Sequence, residues 1–302
     1  MSDMVFADLL ICELSVQNMS VEVFSRWQAD KVVALERAIE VAKAQGAERC
    51  VIAGGLFAPG FVPQSLVEAC MECLAKADMS VTYCPRHDEA TDLASRVEIP
   101  ASVRVMRGES CKVNGSMEVR FDLQGAAELV ISSQGTTVTK SIPPLEPSGF
   151  GDSRDSGYLL VETQGDGVAS VVERGIALHP FIMRSVDLTG LETSNEVLST
   201  VKQVIETTNP DACLRLVLRG KLRLGLYIAT ADLAHYLSKR FFYAEVSDEY
   251  STDVDEEALA TDVSLLAEFI RQVESDDSLS PVEKSRIVRC GWNALNAKEL
   301  AE

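Results

Sequence analysis

Histidine is scarce in this sequence, and two other features are absent. The 302 residues include three histidines, which limits the imidazole groups that a metal site could use. No apolar run approaches the roughly 18 residues that a membrane helix requires, so we expect no membrane span. Residues 1–5 carry no basic segment of the kind that opens a secretory signal, so we expect a cytoplasmic protein.

Basic residues are outnumbered, with 28 lysines and arginines against 46 acidic residues and a net charge of -18. Nucleic-acid binding depends on cations that neutralise phosphates, so this balance argues against broad DNA affinity. The acidity is explained equally well as a means of staying in solution. The densest basic stretch is Arg215, Arg219, Lys221 and Arg223. Its alternation predicts a solvated strand face, with a local DNA or partner patch as the alternative.

Several common catalytic motifs are missing. There is no G-x-x-x-x-G-K-S/T phosphate loop, no G-x-G-x-x-G after a strand and no G-x-S-x-G nucleophile elbow. Eight cysteines are scattered, and several fall inside apolar strands, which favours a reducing compartment and free thiols that pack as small hydrophobes. Cys70 and Cys73 form a C-x-x-C, but without a second pair it does not make a four-ligand zinc site.

The first part of the chain has the pattern of an α/β fold. Strands are predicted at 4–12, 49–54 and 79–84, with helices at 28–45 and 64–77 between them. Apolar strands joined by helical crossovers predict a parallel sheet covered on both faces.

Later segments predict further domains. The proline-rich stretch 142–147 breaks regular structure, so we place a boundary there. Residues 148–247 begin with a predicted hairpin and form a small α+β domain. Residues 248–302 form a helical segment, whose last helix starts with the capping box Ser280-Pro281-Val282-Glu283.

Several motifs lie at predicted strand ends or in the second half of the chain. They are Ala7-Asp8-Leu9-Leu10, Ala53-Gly54-Gly55-Leu56-Phe57, Pro85-Arg86-His87-Asp88, Gly149-Phe150-Gly151 with Gly157-Tyr158-Leu159-Leu160-Val161-Glu162, and the tail segments 268–271, 281–284 and 291–295. In order and spacing the set resembles the DNA-repair exonuclease branch of the calcineurin-like metallophosphoesterases, the SbcD-type nuclease subunit and its YhaO-like relatives. The resemblance implies a truncated metallophosphoesterase-like sheet layered with helices at 1–147, a small α+β capping domain at 148–247 and C-terminal helices at 248–302.

Members of that family hold two metal ions with aspartates, histidines and an asparagine. At the matching positions this chain has lost its ligands, which are replaced by Leu10, Gly55, Ala58 and Arg86. Asp8 and Asp88 survive as vestigial metal positions, and His87 as a vestigial catalytic position. The family's two later histidine motifs have no counterpart, because His179 and His235 fall in the predicted capping domain.

The surviving residues also have structural interpretations. His87 and Asp8 are expected to make loop hydrogen bonds, and Asp88 to cap a helix. Arg86 would oppose cation binding where the asparagine ligand belongs. Its guanidinium fork could instead receive a phosphate at the sheet edge.

Three functions follow from the resemblance. The favoured one is an inactive scaffold or partner-binding subunit that pairs with an SbcC-like coiled-coil ATPase or another protein, with no cofactor. The second is an active exonuclease or phosphodiesterase with a rebuilt site that uses Mn²⁺ or Mg²⁺. The third is a regulator that binds a small ligand in the vacated cleft.

Overall fold

A computed structural model describes most of the chain and divides it into two units. The described residues are 1–12, 18–86, 96–108, 110–122, 125–133, 136–151, 155–164, 167–226, 228–253 and 256–295. The first unit is Met1–Phe181 and the second is Ile182–Glu302. Among the described helices, none combines the length and the apolar character needed to cross a bilayer.

The first unit is mixed α/β. Its elements, in chain order, are β1 (Ser2–Ala7), α1 (Val21–Ala44), β2 (Arg49–Ala53), α2 (Gln64–Lys76), β3 (Ser80–Cys84), β4 (Val103–Val105), β5 (Ser110–Lys112), β6 (Met117–Phe121), β7 (Ala127–Ser133), β8 (Thr136–Ser141), β9 (Gly157–Gln164) and β10 (Gly167–Gly175). One sheet has the order β10-β9-β1-β2-β3-β4, and a second has the order β5-β6-β7-β8. Strands β1 to β4 are parallel, and the β9–β10 hairpin adds antiparallel to β1.

The large sheet is covered differently on its two faces. Alternate residues of each strand point to opposite sides. One side, with Phe6 and Ile52, packs into a core shared with α1 and α2. The other side, with Val5 and Val51, packs against apolar residues of β6 and β7. The predicted cover on both faces is therefore present, but the second layer is an antiparallel sheet rather than helices.

The predicted boundary after residue 147 does not coincide with the observed one. The segment around the prolines is buried against the end of β1, where Ala7 N donates to Pro143 O (2.8 Å) and Leu145 N donates to Ala7 O (2.8 Å). The hairpin predicted in the second domain pairs with β1 instead. Prolines interrupt a strand ladder, but they do not prevent burial, so this segment lies inside the first unit.

Two element limits also differ from the sequence prediction. Helix α1 begins at Val21 rather than 28, because Ser20 caps it by accepting from Val23 N at 3.3 Å, ahead of the apolar stripe. Strand β1 ends at Ala7 rather than 12. Asp8, Leu10 and Cys12 have φ values of 49°, 48° and 72°, which no strand residue adopts.

The second unit is α+β. Its elements are β11 (Phe181–Asp187), which starts at the last residue of the first unit, α3 (Ser194–Ile205), β12 (Cys213–Arg219), β13 (Lys221–Arg223), α4 (Thr230–Ser238), β14 (Tyr243–Asp248), β15 (Ser251–Asp253), α5 (Glu256–Thr261), α6 (Leu265–Glu274) and α7 (Pro281–Leu295). One sheet has the order β11-β12-β14, and β13 pairs with β15.

The helical segment predicted at 248–302 is not separate from this unit. Its proposed start lies at the last residue of β14, and the next strand, β15, pairs with β13. Helices α6 and α7 share a small core with Leu224. The predicted capping box of α7 is confirmed, because Ser280 N donates to Glu283 Oε2 at 2.8 Å and Glu283 N donates to Ser280 Oγ at 3.4 Å.

Candidate functional site

The carboxyl ends of β1, β2 and β3 meet at one edge of the large sheet. Ala7 is the register partner of Ala53, and Ala53 is that of Cys84. The residues that follow each strand therefore converge, as expected for parallel strands. Three positions singled out in the sequence, Asp8, Gly55 and Arg86, lie in this cluster, which we call the strand-end site.

Asp8 and Arg86 form an ion pair in the strand-end site. Arg86 Nη1 lies 3.3 Å from Asp8 Oδ1, and the two side chains are 19% and 5% exposed. A carboxylate removed this far from water needs a compensating charge. The guanidinium supplies it, so the aspartate that resembles a metal ligand is neutralised by a fixed cation of the chain itself.

The two glycines after β2 leave no space for a side chain. Gly55 has a φ of 52°, and a Cβ there would lie 2.3 Å from Asp8 Oδ1 and 2.8 Å from Asp8 Cα. At Gly54, with a φ of 65°, a Cβ would lie 2.6 Å from Arg86 Cγ. The loop packs so closely on Asp8 that an aspartate at position 55 does not fit without a shift of the backbone.

The loop after β1 is held in a strained conformation by backbone contacts. Leu10 is buried, and its N–H donates to Gly55 O at 2.6 Å. Ala58 is also buried, and its N–H donates to Ile11 O at 2.9 Å. Left-handed backbone at non-glycine residues costs about 1–3 kcal/mol each, so these contacts must offset a real strain.

A buried lysine donates a hydrogen bond to the backbone of the same loop. Lys31 is 1% exposed, its Nζ donates to Leu10 O at 2.7 Å, and it lies 4.5 Å from the centroid of the Trp27 ring. Lys31 was not among the residues predicted from the sequence. The signal was present, because Trp27, Lys31 and Leu35 are spaced by four and so share the buried face of α1.

A buried acid and a histidine extend this network. Glu146 accepts hydrogen bonds from Leu178 N at 2.6 Å and His179 N at 3.4 Å. His179 Nε2 lies 3.0 Å from Asp30 Oδ2. His179 thus belongs to the first unit rather than to a capping domain, and it ties the segment after β10 to α1. His235 is exposed on α4 in the second unit.

Glu146 should make stability depend on pH. Burial raises the pKa of its carboxyl above the usual value near 4.5, despite the opposing effects of Leu178, His179 and Lys31. The native state therefore keeps this proton to a higher pH than the unfolded state, so its contribution to stability falls as pH rises.

We expect wild-type protein to lose stability relative to Glu146→Gln as pH rises from 4.5 to 8, measured by urea unfolding. The exposed Glu40→Gln is the matched control on α1 and should show a smaller change. The expected direction would be contradicted if the difference in free energy of unfolding between wild type and Glu146→Gln stayed constant with pH, or if it shifted in favour of wild type as pH rises.

The cysteine pair on α2 is placed for packing. Cys70 is buried and Cys73 is half-buried, and both are free thiols. Burial raises the pKa of the Cys73 thiol to about 11 and raises that of Cys70 as well. Thiolate chemistry requires a cysteine that ionises near neutral pH, and neither of these thiols does so.

The described residues of the strand-end site do not supply the ligands of a two-metal centre. In the part of the chain that the structure describes, no group of three or more His, Cys, Asp or Glu side chains is arranged to hold a metal. His87 and Asp88 lie outside the described residues. Asp8 is already paired with a guanidinium, and two dications need several anionic or imidazole ligands.

Neither the protein-family models nor the curated proteins contain a match to this chain.

The four basic residues between positions 215 and 223 of the second unit fall into two pairs with different surroundings. Arg215 pairs with Glu245, and Arg219 Nε lies 3.4 Å from Glu249 Oε2. These two arginines of β12 are therefore neutralised by acidic residues on β14 and directly after it, which agrees with the predicted solvated strand face. Lys221 and Arg223 follow on β13 and belong to a different surface.

Proposed function

We propose that this chain is a degenerate metallophosphoesterase-like protein of the DNA-repair exonuclease type that does not hydrolyse phosphodiesters. It acts instead as a scaffold or partner-binding subunit. The observation that carries the proposal is the Asp8–Arg86 ion pair at the strand ends. Catalysis of this type uses metal ions to orient phosphate and activate water, and a guanidinium cannot lower the pKa of a bound water as a metal does.

The packing of Gly55 against Asp8 supports the same conclusion. A single damaged ligand would leave a space in which a metal could bind more weakly. Here the strand-end site is filled by Arg86 and closed by the loop after β2. The substitutions at Leu10, Gly55, Ala58 and Arg86 thus form one rearranged structure, in which buried Leu10 and Ala58 brace the loops.

The scaffold role is supported by apolar side chains around the start of α6. Val263 is 97% exposed and Leu265 is 71% exposed, whereas Ile270 and Val273 are buried. Exposed apolar residues in neighbouring positions are typical of surfaces that bind another protein. The partner we propose is an SbcC-like coiled-coil ATPase or another protein chain.

The phosphate site predicted at Arg86 stays a prediction. The Asp8 carboxylate lies against the guanidinium, so a phosphate would have to displace it or share the remaining donors.

Hydrolysis assays test the proposal. We expect no Mn²⁺-dependent cleavage of DNA or of bis(p-nitrophenyl) phosphate above the level of a heat-denatured sample. Co-purification of a coiled-coil ATPase, weakened by Leu265→Asp but not by the buried-to-buried change Ile270→Val, would support the scaffold role. Cleavage that depends on Mn²⁺ and is lost in Asp8→Asn would instead establish the active-enzyme alternative.

A further inference from the structure

The second unit contains an open groove with a volume of about 760 Å³, within the range of small-ligand pockets. It is formed by β13 and β15 on one side and by α5 to α7 on the other. Its apolar lining includes Leu224, Leu266, Ile270 and Trp292. Charged residues at its margin give it the character of an amphipathic site.

Two cations line this groove from a single strand. On β13, Leu222 is 1% exposed and points into the core, so Lys221 and Arg223 both project from the opposite, exposed face. Unlike Arg215 and Arg219, they form no ion pair with any residue that the structure describes. They are therefore available to an anionic group in the groove.

A small cavity adjoins the groove. It measures about 20 Å³, shares Arg223, Leu224 and Trp292 with the groove, and is lined in addition by Arg289. A space of this size holds about one water-sized group. Arg289 Nη2 donates to Asp248 Oδ2 at 3.2 Å, whereas its buried Nη1 has no hydrogen-bond acceptor among the described residues.

An unsatisfied buried guanidinium N–H is costly, and it marks a place where an acceptor oxygen would bind. We propose that the groove binds a carboxylate carried on an apolar chain. One carboxylate oxygen occupies the small cavity near Arg289, Arg223 and Lys221 hold the charge, and the apolar chain lies along Leu224, Ile270 and Trp292.

The acidic residues of the groove select for a single negative charge. Asp253 is the register partner of Arg223 across the β13–β15 pair, and Glu192 and Asp262 also line the groove. A polyphosphate or nucleic-acid backbone would place several charges against these carboxylates, whereas a monocarboxylate places one beside the cations. This inference is independent of the proposed loss of metal chemistry in the first unit.

Octanoate is the test ligand, with octanol as the matched compound that keeps the chain and removes the charge. The readout is the fluorescence of Trp292 in a Trp27→Phe background, because these are the only two tryptophans. We expect saturable binding of octanoate and an affinity for octanol at least about 10-fold weaker, the scale of a lost charged hydrogen bond. The peptide Ala-Leu-Leu with a free C-terminal carboxylate is compared with its amide, which distinguishes a peptide terminus from a free acid as the source.

Variants then locate the site. Arg223→Gln should weaken binding about 10-fold, whereas Lys202→Gln, an exposed change on α3, should leave it unchanged. Arg289→Lys keeps the positive charge that pairs with Asp248 but removes the guanidinium group with its several N–H donors, and it should also weaken binding. Binding of the free-acid peptide alone would support the site with a peptide terminus as its ligand. Equal binding of octanol and octanoate, no binding of either acid, or no effect of Arg223→Gln would overturn the proposal.

Discussion

Arg86→Met should destabilise the first unit by about 2–4 kcal/mol, because it leaves the Asp8 carboxylate buried without its cation. Methionine keeps much of the apolar stem that packs against Gly54, so the variant removes mainly the charge. We expect a lower urea midpoint with an unchanged denaturant slope. The partial exposure of Arg86 places the loss at the lower end of the range known for broken buried pairs.

The double variant Asp8→Asn/Arg86→Met separates the ion pair from packing. Asparagine tolerates the left-handed backbone at residue 8 and carries no charge, so it should recover a large part of the loss. Arg104→Met, at an exposed position on β4, is the matched control and should change stability by less than about 0.5 kcal/mol. Additive losses in the double variant would mean that Asp8 and Arg86 are not energetically coupled.

Gly55→Asp should not create a metal site, although it introduces the residue that the resemblance to metallophosphoesterases implies at this position. Its Cβ would meet Asp8 Oδ1 at 2.3 Å, and its φ of 52° is unfavourable for most side chains. Strain and overpacking together predict a loss of about 3–5 kcal/mol in the free energy of unfolding. The second carboxylate next to Asp8 also adds repulsion.

Three controls divide this loss into its causes. Gly55→Ala retains the clash and the backbone strain without the charge. Gly46→Ala has a φ of 89° and an open environment, so it reports backbone strain alone. Gly115→Asp has open space and no positive φ, so it should be nearly neutral. A stable Gly55→Asp that binds Mn²⁺ would show that the strand-end site can still open for a metal.

The convergence of the strand-end site was predictable from the sequence, because parallel strands with helical crossovers bring their carboxyl ends to one edge. Asp8, Gly55 and Arg86 were singled out through the family resemblance, in motifs that follow predicted strands. Their mutual contacts were not predictable. Arg86 was considered as a phosphate ligand, and Asp8 as a vestigial metal position or as a residue that makes loop hydrogen bonds. Pairing between side chains 78 residues apart depends on loop conformations, set here by the positive φ values of Asp8 and Gly55.

The supporting network was missed for a different reason. Lys31 and Glu146 are charged, and charged residues are ordinarily assigned to the surface. Glu146 lies in the proline-rich stretch that predicted a domain boundary, yet that stretch is buried against β1. Residue propensities indicate where a strand ends. They do not indicate which parts of the molecule cover the residues that follow the strand.

The number of Mn²⁺ ions bound per chain tests the central claim most directly. Equilibrium dialysis of wild-type protein against micromolar Mn²⁺, followed by elemental analysis, should give no stoichiometric binding, and Asp8→Asn should give the same value. Two Mn²⁺ ions bound per wild-type chain, with loss of binding in Asp8→Asn, would contradict a strand-end site closed by the Asp8–Arg86 pair.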